Sequence, residues 1–200
     1  MATVLVPAAR LARWVDNFAA RHDGADLAVA GGQLVGRAPD GSTFTAALPF
    51  DAAYVGPAEA TDFADRAGVP PTWGVLIVRK GGFAVARLTG TSLAEHKIGQ
   101  RHVQGRTKAG GQSQQRFARR RDNQARAAYQ AAAEHAARIL RPGPLVTGGD
   151  RPAVEDVLSD ARLSGLIVVE PWLAVPDPKR QVLDQAVLDA QSIRIDVTNA

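Results

Sequence analysis

The sequence predicts an α/β protein in which three consecutive strands are followed by alternating helices and strands. Short apolar runs separated by glycine turns lie between residues 73 and 98. A long segment rich in Ala, Arg, Gln and Glu follows, and two further apolar runs come after it. Short apolar runs alternating with helix-forming segments are typical of a sheet with helices packed on it.

The first seventy residues predict a small α+β module. Residues 4–21 carry apolar side chains at steps of three and four, the spacing of an amphipathic helix. Residues 27–50 indicate short strands, and residues 58–67 indicate a second helix. Because the pair Pro70-Pro71 favours an interruption, we predict a module over residues 1–70 and a second domain over residues 71–200.

The second domain is predicted to begin with an antiparallel meander of three strands. Residues 73–78 form an apolar, β-branched run, and Gly81-Gly82 turns the chain into a second run at residues 83–88. Residues 91–98 supply the third strand. Sequential strands joined by tight turns pair antiparallel, so these three form one continuous sheet.

A polar loop at residues 99–112 leads from the meander to a long predicted helix at residues 113–141. The rest of the domain alternates, with strands at residues 145–147, 166–169 and 192–197 and helices at residues 152–159 and 178–190. This succession predicts an RNase H-like α/β sandwich.

Charge is concentrated in one part of the chain. Residues 97–126 hold nine Lys or Arg residues against Asp122, whereas the remainder has 15 basic and 19 acidic residues. A basic segment of this kind predicts a surface that contacts the phosphates of a nucleic acid, while the rest of the protein is mildly acidic. The absence of cysteine excludes disulfides and thiolate metal sites, and no apolar run is long enough to cross a membrane. The N-terminus lacks the pattern of a secretory signal, so we expect a cytoplasmic protein without a membrane partner.

The basic segment contains one motif that carries chemistry. It reads Gly110-Gly111-Gln112-Ser113-x-x-Arg116-Phe117-Ala118-Arg119-x-Arg121, in one register and without a gap. Two adjacent glycines let the backbone adopt conformations that other residues resist. The motif resembles the catalytic middle domain of eukaryotic-type and archaeal peptide release factors. It also resembles the Vms-like release factors, which form a rescue branch of the same superfamily.

The resemblance implies a peptidyl-tRNA hydrolase that rescues stalled or split large ribosomal subunits. It implies that Gln112 positions the attacking water and that Gly110 and Gly111 let the tip enter the peptidyl transferase centre. Its partners would be ribosomal RNA of the large subunit and peptidyl-tRNA, bound by a monomer that needs no cofactor or metal. Two hundred residues leave room for one module beside the catalytic domain, and that module shows no codon-reading motif, which favours the rescue branch.

Two alternatives stay open at this stage. Vms-like members commonly present Gly-x-x-Gln, and Gly111-Gln112-Ser113-Gln114 satisfies that spacing, so Gln114 is a second candidate for the catalytic position. The protein could instead be a non-catalytic ribosome- or RNA-binding surveillance module of the same fold. Either way, the predicted RNA-binding residues are Arg106, Lys108, Arg116, Arg119, Arg120, Arg121 and Arg126.

Other enzyme classes are not supported by the sequence. It contains no Gly-x-Ser-x-Gly elbow of a serine hydrolase, no phosphate-binding loop ending in Gly-Lys-Ser/Thr and no His-Glu-x-x-His metal motif. The strand at residues 73–78 carries no carboxylate, which argues against a metal-dependent nuclease.

Overall fold

The computed structural model describes residues 1–100 and 112–200, and for residues 112–125 it describes the backbone alone. The elements follow one another as β1 (Ala2–Val6), α1 (Leu11–Arg21), β2 (Asp26–Ala30), β3 (Gln33–Arg37), β4 (Thr43–Ala47), α2 (Ala60–Ala64), β5 (Thr72–Arg79), β6 (Gly82–Thr89), β7 (Ser92–Gln100), α3 (Gln112–Ile139), β8 (Gly143–Gly149), α4 (Arg151–Leu158), β9 (Leu166–Leu173), α5 (Arg180–Ala190) and β10 (Ile193–Thr198). In this part of the chain the strands form two five-stranded sheets, which confirms the mixed α/β class. None of the described helices is both long and apolar enough to span a membrane.

The chain divides into two compact units. The first contains Met1–Val69 together with Val187–Ala200, and the second contains Pro70–Ala186. The second unit begins at Pro70, the first residue of the Pro70-Pro71 pair.

The first unit is built on an antiparallel sheet with the strand order β1-β10-β4-β3-β2. Its core contains Leu34 of β3 and Phe44 of β4, both almost fully buried. Helix α1 buries Leu11, Val15 and Phe18, which recur at steps of four and three and therefore share one face. The amphipathic pattern thus predicts α1 correctly from residue 11 onward.

The prediction of helix from residue 4 is wrong. Residues 4–6 belong to β1, where Val4 pairs with Ile195 and Val6 with Ile193 of β10. β-Branched residues fit a pleated sheet well, and Pro7, which lacks a backbone N–H, follows the strand. A partner almost two hundred residues away is invisible to local periodicity, so the helical pattern was extended too far toward the N-terminus.

The last strand also departs from the predicted partition. The sequence predicts residues 192–197 as part of the second domain, but β10 pairs with β1 on one side and with β4 on the other, inside the first unit. It buries Ile193 and Ile195 in that core. The physical reason is that an alternating apolar strand pairs with whichever sheet offers two matching neighbours, and the first unit has both.

Gly36 of β3 offers a test of packing in the first unit. A Cβ at this position would collide with the ring of Phe44, which is buried beside Trp14 and Phe18. We therefore expect Gly36→Ala to lower the free energy of unfolding by about 1–3 kcal/mol, because the buried ring cannot move freely. Urea unfolding measures the change, and Gly68→Ala, with an added Cβ 3.9 Å from its nearest atom, is the matched control. Equal stability of the two variants would contradict the prediction.

The second unit contains a mixed sheet with the strand order β7-β6-β5-β8-β9. Strands β5, β6 and β7 pair antiparallel in sequence, which confirms the predicted meander. Strands β8 and β9 continue the sheet in parallel with β5. Parallel neighbours need a crossover connection, and the connections before β8 and β9 contain α3 and α4.

One face of this sheet packs against α3 and α4. The shared core contains Leu76 and Val85 from the strands, Ala136 from α3 and Val154 from α4. Strand β5 is buried along most of its length, as its continuous apolar run predicts. The sheet therefore holds α3 in place through this shared core.

Candidate functional site

The candidate motif lies at the start of α3. Gln112 is the first residue of this helix and Gln114 lies in the same turn. The helix has 28 residues, and a rise of 1.5 Å per residue gives it a length of roughly 42 Å. The predicted arginines Arg116, Arg119, Arg120, Arg121 and Arg126 all occupy positions on α3.

The remaining predicted site residues lie outside the described part of the chain. These are Arg106, Lys108, Gly110 and Gly111, which fall within residues 101–111. The side chains of residues 112–125, including both glutamines, also lie outside it. Of the predicted RNA-binding side chains, the structure describes Arg126, which is exposed. The catalytic and binding roles of these residues therefore stay predictions.

The second half of α3 is firmly packed on the sheet. Ala128, Ala132, Ala136 and Ile139 are buried at steps of three and four along one face of the helix. Small alanine side chains allow the helix to approach β6 closely, and the ring of Phe83 lies against this face. The described packing thus fixes the end of α3 that is distant from Gln112.

An ionic cluster fixes the last turn of α3. Arg87 of β6 donates from Nε to the carbonyl of Ile139 at 3.1 Å and places Nη2 3.6 Å from Glu95 of β7. Glu95 also accepts a hydrogen bond of 2.8 Å from Nη1 of Arg138. Arg141 donates from Nη1 to the carbonyl of Leu140 at 2.8 Å, so it satisfies a carbonyl at the helix end. The direction of α3 is therefore held by side chains from β6, the middle strand of the meander, and from β7 at its edge.

Two arginines of this cluster should differ in their effect on stability. Arg87→Met removes the partly buried donor to the Ile139 carbonyl, and we expect it to cost about 1–3 kcal/mol in the free energy of unfolding. Arg138→Met breaks only an ion pair in which Arg138 is 60% exposed, and it should cost at most about 1 kcal/mol. Urea unfolding of both variants measures the difference, and equal losses would show that Arg87 does not anchor the helix.

A cavity of about 140 Å³ lies where α3 faces the ends of β6 and β7. Its strand side includes Gly82 and Gly99, its helix side includes Ala128 and Ala131, and His135 contributes one wall. Burial lowers the pKa of His135, and the nearby charges of Lys97 and Arg138 lower it further, outweighing the opposite effect of Glu134. These effects favour the neutral form of the imidazole. No sequence signal singled out this cavity, because its lining comes from three elements and is rich in residues without functional groups.

Other titratable side chains of the second unit serve structural contacts. His96 Nε2 lies 3.2 Å from Nη1 of Arg180, which also pairs with Asp184. Arg79 donates from Nη1 to the carbonyl of Val175 at 2.6 Å. Within residues 1–100 and 126–200, no group of three or more His, Asp or Glu side chains is arranged to hold a metal ion.

Comparison with known proteins shows the family to which the chain belongs. Residues 71–196 match the model of the Actinobacteria/chloroflexi VLRF1 release factor family. The match covers more than half of the chain and contains the Gly110-Gly111-Gln112 motif and the whole of α3. The chain therefore belongs to this release factor family, which confirms the resemblance read from the motif.

Among solved structures, the chain is similar to the crystal structure of archaeal translation termination factor aRF1. The TM-score is 0.37, the sequence identity is 16%, and the alignment covers 78% of this chain and 48% of the archaeal chain. The chain thus spans about half the length of that factor. No curated protein matches the sequence.

Proposed function

We propose that this member of the VLRF1 release factor family is a ribosome-associated peptidyl-tRNA hydrolase. It frees nascent chains from stalled or split large ribosomal subunits by means of its Gly110-Gly111-Gln112 tip. One observation carries the proposal: the family match spans residues 71–196, and the ungapped motif lies within it. The start of α3 at Gln112 supports it, because Gln112 then lies at one end of a helix whose other end is packed on a sheet.

The proposed chemistry follows from the substrate. Hydrolysis of peptidyl-tRNA delivers water to an ester whose carbonyl oxygen becomes an anion in the transition state. Glutamine is neutral and cannot act as an ordinary general base, but the Gln112 side chain can orient the water. Backbone N–H groups at the start of a helix favour developing negative charge. Removing one donor to such an oxyanion costs about 2.7–4 kcal/mol in well-studied enzymes.

The glycines and the arginines have separate parts in this proposal. Gly110 and Gly111 give the tip the conformational freedom to enter the peptidyl transferase centre. The seven basic residues named above, from Arg106 to Arg126, contact phosphates of the large-subunit RNA and of peptidyl-tRNA. Gln114 is the second candidate for the catalytic position, since it lies in the same helical turn as Gln112. The protein acts as a cytoplasmic monomer and needs no cofactor.

We propose that the second unit carries out catalysis and that it has an RNase H-like fold. The support is the strand order β7-β6-β5-β8-β9, with three antiparallel strands followed by two parallel ones and helices in the crossovers. The sheet of the first unit, which includes β10, then forms the accessory module.

A release assay tests the proposed function. Purified large subunits carrying labelled peptidyl-tRNA are mixed with the protein, and free peptide is measured over time. We expect release that depends on the concentration of the protein. Binding to the subunits without release would instead identify a non-catalytic surveillance module, and absence of both would refute the proposal.

A further inference from the structure

The cavity between α3 and the ends of β6 and β7 is lined on its strand side by glycines that let neighbouring groups approach closely. A Cβ at Gly99 would collide with the ring of Phe83. Gly82 has a φ of +155°, and a Cβ there would collide with the carbonyl oxygen of Gly99. Ala128 and Ala131 keep the helix side equally small. Four small residues on facing elements therefore line the cavity, and Gly99 lets the ring of Phe83 pack directly against β7.

One wall of the cavity is aromatic. The rings of Phe83 and His135 stack with their centroids 5.6 Å apart and their planes inclined by 30°. Phe83 is buried, whereas His135 is partly exposed. The lowered pKa of His135 favours the neutral imidazole, which has one donor and one acceptor nitrogen. The flat imidazole of His135 can stack on the face of a nucleobase, and its nitrogens can donate a hydrogen bond to the edge of the base and accept one from it.

Positive charge adjoins this wall. Lys97 lines the cavity with its side chain exposed to solvent. Arg126 is exposed on α3, two residues before Ala128. These two residues bound the most basic segment of the sequence, which has nine Lys or Arg residues and one acid. An apolar recess with the ammonium group of Lys97 in its lining is complementary to a base that is joined to phosphates.

We propose that this cavity binds one unstacked nucleobase of an RNA strand, with Phe83 and His135 as the aromatic wall and Lys97 as the phosphate contact. At about 140 Å³ the space suits a single base rather than a larger ligand. Proteins commonly read single-stranded RNA by stacking splayed bases on aromatic side chains, histidine included. The choice of RNA as partner rests on the proposed function, but the site can be tested without it.

The test observes the imidazole of His135 directly. NMR spectra of the full chain are recorded during titration with each of the four nucleoside 5′-monophosphates, and His135→Gln assigns the imidazole signal. Ribose 5-phosphate, which has no base, is the control ligand. We expect nucleotides to shift the His135 signal in a saturable way and ribose 5-phosphate to leave it almost unchanged. An equal shift with ribose 5-phosphate would mean that Lys97 binds phosphate only, and the proposal would be overturned.

A cavity-filling variant completes the test. Ala131→Leu places a larger side chain in the recess, and Ala127→Leu adds the same group to α3 outside the cavity lining. Affinity for a short single-stranded RNA should fall about tenfold in Ala131→Leu and stay unchanged in Ala127→Leu. Equal affinities would overturn the proposal, as would a His135 shift caused by N-acetyltryptophanamide rather than by nucleotides. Nucleotide binding by a wild-type protein that releases no peptide would refute the proposed function while leaving this site in place.

Discussion

Replacing Gln112 with alanine is expected to lower peptide release by a factor of about 100–1,000 while leaving affinity for the large subunit nearly unchanged. The physical reason is that the side chain orients the attacking water, and we expect loss of this contact at the reacting centre to raise the barrier as much as loss of one oxyanion donor does, by about 2.7–4 kcal/mol. Alanine favours helix, so the first turn of α3 should persist and the melting temperature should change little. Single-turnover release and subunit binding, measured on the same preparation, separate chemistry from recruitment.

Two other glutamines of α3 make this experiment specific. Gln130→Ala removes an exposed glutamine near the packed half of the helix and should release peptide at the wild-type rate. Gln114→Ala removes the second candidate in the first turn. Normal release by Gln112→Ala together with loss in Gln114→Ala would move the catalytic position two residues along the helix. Normal release by both variants would refute the proposed role of the tip.

Local sequence features were sufficient to predict the elements that carry the candidate site. The meander of β5, β6 and β7 follows from apolar runs separated by tight glycine turns, and the structure pairs these strands in that order. Helix α3 was predicted within two residues at both ends, since strong helix formers fill it and Pro142 with Gly143 follows it. Each of these signals depends on neighbours within a few residues, so these elements can be predicted from a single sequence.

Features that depend on distant partners were missed. Strand β1 pairs with β10 across almost the whole chain, so apolar periodicity alone does not reveal that Val4 and Val6 lie in a strand. The cluster of Arg87, Glu95 and Arg138 joins two strands to the end of a helix, and nothing in the sequence marks these charges as mutual partners. The cavity beside His135 arises for the same reason, because it depends on which small residues face each other.

Reversing the charge of Arg119, Arg120 and Arg121 to glutamate should weaken binding to the large subunit and flatten its dependence on salt. Each phosphate contact releases counterions and contributes a slope of roughly −0.7 to −0.9 to the logarithm of affinity against the logarithm of salt concentration. Loss of three contacts should therefore reduce the slope by about 2–3. Release at saturating protein should suffer much less than binding, because Gln112 is retained. The measurement is affinity across a salt series for wild type and triple variant.

A matched control separates specific contacts from the overall change in charge. Arg10, Arg13 and Arg21 are exposed in the first unit, and their replacement by glutamate changes the net charge by the same amount. If phosphates contact the arginines of α3, the control keeps a slope close to wild type, because a distributed charge affects affinity through weak, screened interactions. Similar flattening in both triple variants would mean that net charge alone governs binding. Unchanged slopes in the α3 variant would place the RNA-facing surface elsewhere and leave these arginines as solvated residues of a helix.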